Sequence, residues 1–420
     1  MQETSINKNN TPWSLVGMLC ATATAGYICR VNISTAGALI MDDFDLSQVE
    51  MGRIFSGFLL GYALFQVPAG MLADRWGARR ILAMSSWLWV GSTAVQAIIG
   101  WGPIQTTLNA ALMALVISRF VLGITESPTY PGAARGISKW ILPKFQGRAN
   151  GIVISSIGLG SALAPLIVSN VMVHWGWRIA MLVSGIPALV IAILWLTIRE
   201  PEAVQSTQIN NGKIQDKNVL NLKTSLLSRS FILLTLSYTL QGYVGYIFVT
   251  WFYLYLVQER HFDLLSGAWM SSLPWLLSII SIPLGGWISD RLAAGRPGLI
   301  WGRRAVPLIG MSASGIMISI GAHTGSALIA AVSLAFATAL ILSVESPFWT
   351  TMMIMSGSRS GMAGGIMNMG SNIGGFISPA LTPILAEYFG WENSLHIAAG
   401  LAIIAAILWV GVGTDRKDPG

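Results

Sequence analysis

Apolar residues form long runs along this chain, and short polar segments interrupt them at regular intervals. Each run has about 20 residues, enough for a helix to cross the roughly 30 Å of hydrocarbon in a bilayer. Twelve runs follow one another from Trp13 to Val412. They predict twelve membrane-spanning helices, called spans 1 to 12 here, at residues 13–39, 50–73, 80–100, 105–133, 147–172, 177–198, 230–257, 264–289, 304–322, 325–353, 361–387 and 392–412.

Composition and charge favour an integral membrane protein. Of the 420 residues, 53% are hydrophobic and only 10% are charged, against about 25% charged in a soluble domain. The net charge of +7 could suggest a nucleic-acid partner, but 20 of the 25 Lys and Arg lie in or at the edge of predicted loops on the side of the termini. Because positively charged loops stay in the cytoplasm, we expect both termini inside, the lipid bilayer as surroundings and no nucleic-acid partner. The expected location is a bacterial inner membrane.

One polar stretch divides the chain. Residues 199–229 read Arg-Glu-Pro-Glu and then mostly Asn, Gln, Lys and Ser, which cannot bury a core and are typical of a linker. The predicted domains are an N-terminal six-helix bundle (1–198), a cytoplasmic linker (199–229) and a C-terminal six-helix bundle (230–420).

The two halves repeat each other. At a constant offset of 214, Gly151, Gly160, Pro165 and Gly176 recur as Gly365, Gly374, Pro379 and Gly390. In the same order, Glu126-Ser-Pro recurs as Glu345-Ser-Pro. A parallel duplication of six spans predicts a pseudo-two-fold axis along the membrane normal.

The loop after span 2 carries a specific motif, Gly70-Met-Leu-Ala-Asp74-Arg75-Trp-Gly77-Ala-Arg79-Arg80. Its glycines allow a sharp turn and close helix approach, and its arginines keep the loop in the cytoplasm. The string resembles the loop signature of the major facilitator superfamily. The resemblance to that family extends over essentially the whole chain. The resemblance implies an all-α polytopic fold of two pseudo-symmetric six-helix bundles. It also implies a gating role for Gly70, Asp74, Arg75, Gly77, Arg79, Arg80 and the second-half copies Asp290 and Arg291.

Arg30, Arg119 and Glu126 lie deep inside predicted spans, where charge is expensive and usually functional. Arg30 is 17 residues into span 1, and Arg119 and Glu126 are seven residues apart in span 4. Seven residues are two helical turns, so Arg119 and Glu126 share a face but are too far apart to pair. Guanidinium groups bind carboxylates through paired bonds, so the arginines predict an anion pathway. Glu126 can load and release a proton; the alternative is that Arg119 and Glu126 pair structurally with other helices.

These residues narrow the resemblance to the anion:cation symporter branch, which includes bacterial D-galactonate and hexuronate transporters, sialin and vesicular glutamate transporters. The strings that carry it are Tyr27-x-x-Arg30-x-Asn32, Phe58-Leu-Leu-Gly61-Tyr62-Ala-Leu-Phe-Gln66-Val-Pro68, Arg119…Glu126, Thr250-Trp-Phe and Gly364-Gly365…Asn368. The resemblance implies that Arg30 and Arg119 hold a substrate carboxylate and that Glu126 couples the proton. It further implies a cavity lined by Tyr27, Tyr62, Ser346, Trp349 and Asn368.

One position departs from the sugar-acid members of that branch. They usually carry an aspartate directly before the span 1 arginine, where this chain has Cys29. A thiol is neutral at pH 7, so we expect coupling through Glu126 alone. Glu345 leaves this open, because it is either a second proton site or a hydrogen-bonding partner of a neighbouring helix.

The expected function is proton-coupled symport of a small organic anion, a sugar acid or another carboxylate, by a monomer that uses alternating access. Two alternatives stay open: an exporter or antiporter of amphipathic compounds, and a non-transporting membrane sensor. Span 5 lacks the Gly-x3-Gly-Pro of many drug antiporters, which counts against the first. We expect no cofactor and no enzymatic activity, because no phosphate loop or partnered nucleophile occurs. His174, His261 and His323 lie in or near outer loops and are isolated from one another, so no metal site is predicted.

Overall fold

The computed structural model describes residues 13–101, 107–198, 228–294, 298–356 and 360–413. Within these ranges every regular element is a helix. The α-helices are α1 Trp13–Phe44, α2 Gln48–Trp76, α3 Ala78–Ile98, α4 Leu108–Glu126, α5 Thr129–Trp140, α6 Pro143–Ser184, α7 Ile186–Thr197, α8 Arg229–Thr250, α9 Phe252–Leu254, α10 Leu264–Ala293, α11 Gly298–His323, α12 Ala327–Ser343, α13 Glu345–Ser356 and α14 Ser360–Leu408. A π-helical turn, Tyr255–Glu259, follows α9, and a 3-10 turn, Trp409–Gly411, ends span 12. The predicted linker falls, apart from its last two residues, outside the described residues.

Ten stretches of the described chain are long and apolar enough to cross a membrane. Two of them, Arg148–Thr197 and Met362–Gly411, have 50 residues each. A straight helix of that length would measure about 75 Å, more than twice the hydrocarbon thickness. Each stretch instead turns at a glycine with positive φ, Gly176 (φ 76°) or Gly390 (φ 82°). Each therefore contains two spans, and the predicted count of twelve is confirmed.

Matching irregularities in the two halves reflect the internal repeat. Gly176 and Gly390, 214 positions apart, share a left-handed backbone conformation that a residue with a Cβ adopts only with strain. Spans 4 and 10 both break at Glu-Ser-Pro: α4 ends at Glu126, and α13 begins at Glu345. These breaks put one carboxylate at an interrupted helix in each half, where backbone groups lose their helical partners.

The two halves meet along spans 1, 2 and 5 of the first and spans 7, 8 and 11 of the second. We call the end with the α1–α2 connection, opposite the termini, the distal end. There Gln48 Nε2 donates to Gln258 Oε1 at 3.4 Å. Gly52 lies so close to span 11 that an added Cβ would come within 2.3 Å of the Pro379 carbonyl oxygen. Close backbone contact of this kind needs glycine, and it holds the halves together at the distal end.

Candidate functional site

The Arg30 guanidinium lies at mid-depth between the two halves, and the side chain is only 4% exposed. Its Nη1 atom is 3.4 Å from Glu126 Oε1 in span 4 and 3.5 Å from the Tyr27 hydroxyl. Its Nη2 atom donates to the Tyr246 hydroxyl in span 7 at 2.6 Å. One arginine thus joins a carboxylate of its own half to a phenol of the other half.

Aromatic rings surround the same guanidinium. The Arg30 Cζ atom is 4.6 Å from the centre of the Phe58 ring, 5.1 Å from those of Tyr27 and Tyr62, and 5.6 Å from that of Tyr246. Each such contact contributes about 0.5–2 kcal/mol when water is excluded. The rings therefore stabilise a buried cation without neutralising it, and the charge stays available to an anion.

Glycines in spans 2 and 4 position this group. A Cβ at Gly61 would lie 2.2 Å from the Phe120 carbonyl oxygen, and one at Gly123 would lie 2.0 Å from the Phe58 carbonyl oxygen. Because neither residue has a side chain, the two helices touch backbone to backbone. That contact brings the rings of span 2 and the carboxylate of Glu126 to the same guanidinium.

Arg119 lies behind Arg30 and holds the backbone of span 1. Its Nη2 atom donates to the Arg30 carbonyl oxygen at 2.9 Å, and its Nη1 atom donates to the Cys29 carbonyl oxygen at 3.4 Å. As the helical spacing predicts, it does not form an ion pair with Glu126 within the described residues. Arg119 Nε and Glu126 Oε2 are both buried without a hydrogen-bond partner there. Arg119 thus positions Arg30 and keeps one unused donor.

A narrow cleft opens beside the two arginines. Its lining residues are Arg30, Ile33, Ser34, Phe55, Phe58, Leu59, Arg119, Tyr246, Val249 and Thr250. Both halves contribute, because Tyr246, Val249 and Thr250 belong to α8 and its end. The lining is apolar except at the two guanidinium groups and a few hydroxyls, a composition typical of small-molecule sites.

Glu345 forms a second carboxylate site inside a span, half-buried in the C-terminal half. Its carboxylate accepts a short hydrogen bond from the Tyr238 hydroxyl. It also accepts from Trp349 Nε1 at 3.2 Å and from Gln241 Nε2 at 3.4 Å. All three donors are neutral, and among the described residues Glu345 has no ion-pair partner. It therefore differs from Glu126, which is paired with Arg30.

The other residues predicted to line the cavity lie apart from Arg30. Asn368 Nδ2 donates to Gln66 Oε1 across the halves at 3.2 Å, and Asn372 donates to the same oxygen at 3.3 Å. Gln66 Nε2 in turn donates to the Tyr62 hydroxyl at 3.4 Å. Among the described residues, Asn368 is thus linked to the Arg30 group through Gln66 and Tyr62.

Ser346 packs span 10 against span 8. A Cβ at Gly286 would come within 2.9 Å of the Ser346 Cβ. Trp349 belongs to the Glu345 site. The structure therefore gathers Tyr27, Tyr62 and Glu126 around Arg30, and it places Ser346, Trp349 and Asn368 in contacts of their own.

Sequence reasoning missed Tyr246, Phe58 and Gln66 as contributors. Tyr246 was recognisable from the repeat, because Gly70 and Gly286 define an offset of 216 for the first spans of each half, and 30 plus 216 is 246. Phe58 and Gln66 lie within a quoted string, but only the fold shows that they touch Arg30 and the second half.

Cys29, at the position where the resemblance led us to expect a carboxylate, is fully buried. Its Sγ atom lies 3.8 Å from the Ser184 carbonyl oxygen in α6. The thiol therefore contributes to packing between spans 1 and 6.

The motif after span 2 forms a sharp turn at Gly77, which has φ 84°. Asp74 lies 3.8 Å from Arg135 Nε, both well exposed. Arg79 donates to the carbonyl oxygens of Trp195 and Leu196 at 3.1 and 2.7 Å, and so caps the end of α7. Gly70 lies near Pro131 at the helix surface. Arg75 and Arg80 are exposed.

In the second copy of the motif, Asp290 forms a short ion pair with Arg303. Arg291 lies over the Trp287 ring, 5.4 Å from its centre. The contacts described for both copies join elements of the same half. They therefore stabilise each half at the end opposite the distal end.

Comparison with known proteins identifies a family. A sequence profile described as the Major Facilitator Superfamily matches residues 18–355 and 294–420. A probable sulfoacetate transporter of Cupriavidus necator is 28% identical, over 94% of this chain and 91% of the relative. The hexuronate transporter of Bacillus subtilis is 27% identical, over 94% of each. A D-galactonate transporter of Escherichia coli is 26% identical, over 96% of each.

Solved structures share the fold at lower identity. A bacterial homologue of the human lysosomal transporter Spinster, in an inward-facing and unoccupied conformation, matches with a TM-score of 0.82 at 19% identity, over 98% of this chain and 100% of the other. A D-xylose-proton symporter matches with a TM-score of 0.79 at 16% identity, over 97% and 99%. At these identities the likeness concerns the architecture of two six-helix bundles.

Proposed function

Because this chain belongs to the Major Facilitator Superfamily, we propose that it carries a small organic anion across the membrane by alternating access, as a monomer, with Arg30 as the anion-binding group. The relatives named above are a probable sulfoacetate transporter, a hexuronate transporter and a D-galactonate transporter, and these three substrates are small acids with an anionic head. The two halves, 1–198 and 230–420, are proposed to rock about the site, joined by the linker.

One observation carries the proposal: the Arg30 guanidinium is buried between the halves and contacts Glu126 from one half and Tyr246 from the other. A buried guanidinium stays charged and offers paired donors to a carboxylate or sulfonate. An anion that binds there contacts both halves at once. Binding can therefore govern how the halves move.

Proton coupling follows from competition for the same guanidinium. In this structure Glu126 Oε1 accepts a hydrogen bond from Arg30 Nη1 at 3.4 Å and forms an ion pair with it. An ionised Glu126 neutralises the cation and repels a second carboxylate, whereas protonation releases the guanidinium for the substrate. We therefore propose symport, in which the proton is loaded on Glu126 before the anion binds and leaves after the anion is released.

Glu345 is the candidate for a second proton carrier. It lies half-buried inside a span with neutral donors around it, so a bound proton would remove an uncompensated charge. The thiol of Cys29, buried against Ser184, offers no such site.

The positive charges of the loops support termini in the cytoplasm and, for a bacterial chain, location in the inner membrane. With symport as proposed, an inward proton gradient would drive the anion into the cell.

The test is ligand binding to purified protein. A panel of sulfoacetate, hexuronates, galactonate and aldarates is screened for an increase in melting temperature, because a ligand that binds the folded state raises apparent stability. A hit is then measured in Arg30→Lys and in Arg53→Lys. Arg53 is exposed at the distal end and serves as the matched control. We expect at least about a tenfold loss of affinity in Arg30→Lys, because an ammonium cannot make paired bonds. Full affinity in that variant would refute the site.

A further inference from the structure

Three metal-ligating side chains meet at the distal end of the C-terminal half. His323 is the last residue of α11, and Glu392 and His396 lie one turn apart after the bend of α14. His323 Nδ1 is 2.8 Å from Glu392 Oε1, and His396 Nε2 is 3.8 Å from the same oxygen. The three ligand atoms lie within 4.8 Å of one another. They belong to spans 9 and 12, which are distant in the chain and were predicted to hold no metal site.

This spacing fits one zinc ion. Zn²⁺ binds imidazole nitrogen and carboxylate oxygen at about 2.0–2.2 Å in a tetrahedron, which separates neighbouring ligand atoms by roughly 3.4 Å. The two separations from Glu392, 2.8 and 3.8 Å, lie on either side of that value. The His323 side chain is 83% exposed, so it can rotate, and solvent can supply the fourth ligand.

Contacts outside the trio hold its histidines. Arg260 donates to the carbonyl oxygens of Gly321, Ala322 and Thr324 at 2.7–2.9 Å. These bonds cap the C-terminal end of α11 and fix the backbone that carries His323.

His396 has its own support. Its Nδ1 atom is 3.4 Å from Ser319 Oγ, so the hydroxyl binds the ring nitrogen that faces away from Glu392. Metal-binding histidines characteristically use their second nitrogen in this way, which fixes the ring orientation.

We propose that His323, Glu392 and His396 form a zinc site, which ties the end of span 9 to the start of span 12. Two imidazoles and one carboxylate suit a divalent transition metal, whereas Mg²⁺ and Ca²⁺ prefer all-oxygen ligands. The site shares no residue with the Arg30 group. The zinc proposal can therefore be tested, and refuted, independently of the proposed transport.

The first test is a zinc titration of the full-length chain, purified without a polyhistidine tag and treated with a chelator. We expect one saturable Zn²⁺ per chain. His323→Ala and His396→Ala should each weaken binding at least about tenfold. The chain has four histidines, so His174→Ala/His261→Ala removes the other two and is the matched control. It should bind with wild-type affinity. Zinc binding that is lost in the control, or kept at full affinity in the two site variants, overturns the proposal, as does wild-type protein without saturable binding.

A second measurement separates metal binding from misfolding. Zinc should raise the melting temperature of the wild type, and a chelator should reverse the increase. In Glu392→Gln the melting temperature without metal should stay near that of the wild type, because the residue is half-exposed, while the increase with zinc should shrink. An undiminished zinc-dependent increase in Glu392→Gln would assign the metal to another place and refute this site.

Discussion

Arg30 and Tyr246 occupy equivalent positions in the two repeated halves, and the Arg30 Nη2 atom donates to the Tyr246 hydroxyl at 2.6 Å. The offset of 216 that relates them also relates Tyr27 to Tyr243 and Gly70 to Gly286. Symmetry-equivalent positions can meet only near the pseudo-two-fold axis. The cation is therefore in the one region where a ligand touches both halves.

Tyr246→Phe should lower the stability of this conformation. It removes a hydrogen bond to a charged group, which is worth about 1.5–3 kcal/mol. Tyr243→Phe is the matched control, because its hydroxyl lies 3.3 Å from the neutral Thr382 hydroxyl in its own half. Melting temperatures in detergent compare the two. An equal or smaller decrease in Tyr246→Phe would show that the bond between the halves does not hold them.

Anion affinity should fall as pH rises, because ionised Glu126 competes for Arg30. In Glu126→Gln the neutral amide cannot compete, so affinity should become nearly independent of pH over the range in which the wild type varies. In proteoliposomes the same variant should lose proton-driven accumulation and retain anion exchange. Binding measured across pH, with uptake and exchange assays, checks both. A pH dependence that persists unchanged in Glu126→Gln would exclude Glu126 as the coupling residue.

Glu345→Gln tests the second candidate proton carrier. If Glu345 carries a proton in each cycle, the ratio of protons to anions falls by one in this variant. Proton flux and anion flux, measured together in proteoliposomes, give that ratio. Ser346→Ala, in the adjacent position, controls for general damage to span 10. An unchanged ratio in Glu345→Gln would leave the residue a structural acceptor for Tyr238 and Trp349.

Gly123→Ala should disrupt the site from a distance. The new methyl group would lie 2.0 Å from the Phe58 carbonyl oxygen, so spans 2 and 4 must separate. Overpacking of this kind costs about 1–3 kcal/mol, and it would also move Phe58 away from both guanidinium groups. Gly91→Ala is the control, because an added methyl meets nothing within 4 Å there. Melting temperature should fall only in Gly123→Ala. Equal effects in the two variants would argue against tight packing at Gly123.

Much of the fold was predictable because its cause is local. Long apolar runs need only a bilayer and a helix, and the predicted span boundaries at 172–177 and 387–392 enclose the bends found at Gly176 and Gly390. Arg30 and Glu126 were recognisable as a site because charge at that depth is expensive.

The residues that contact Arg30 and Glu126 were harder to predict from the sequence, because these contacts depend on how distant spans cross. Arg119 was expected to bind substrate, and only the packed structure shows that it holds the carbonyl oxygens of span 1. Likewise His323 and Glu392 are 69 residues apart in the chain. No local spacing predicts a cluster formed by two helix ends.

The four charged side chains that lie inside the spans near mid-depth have an electrical consequence. Arg30 and Arg119 carry two positive charges, and Glu126 and Glu345, when ionised, carry two negative ones. In the proposed cycle the empty carrier then moves no net charge when it reorients, and membrane voltage does not act on that step. With one proton per monoanion the loaded step is silent as well. Any steady current must then come from protons in excess of the anion's charge. The current divided by the anion flux gives the number of excess protons carried with each anion.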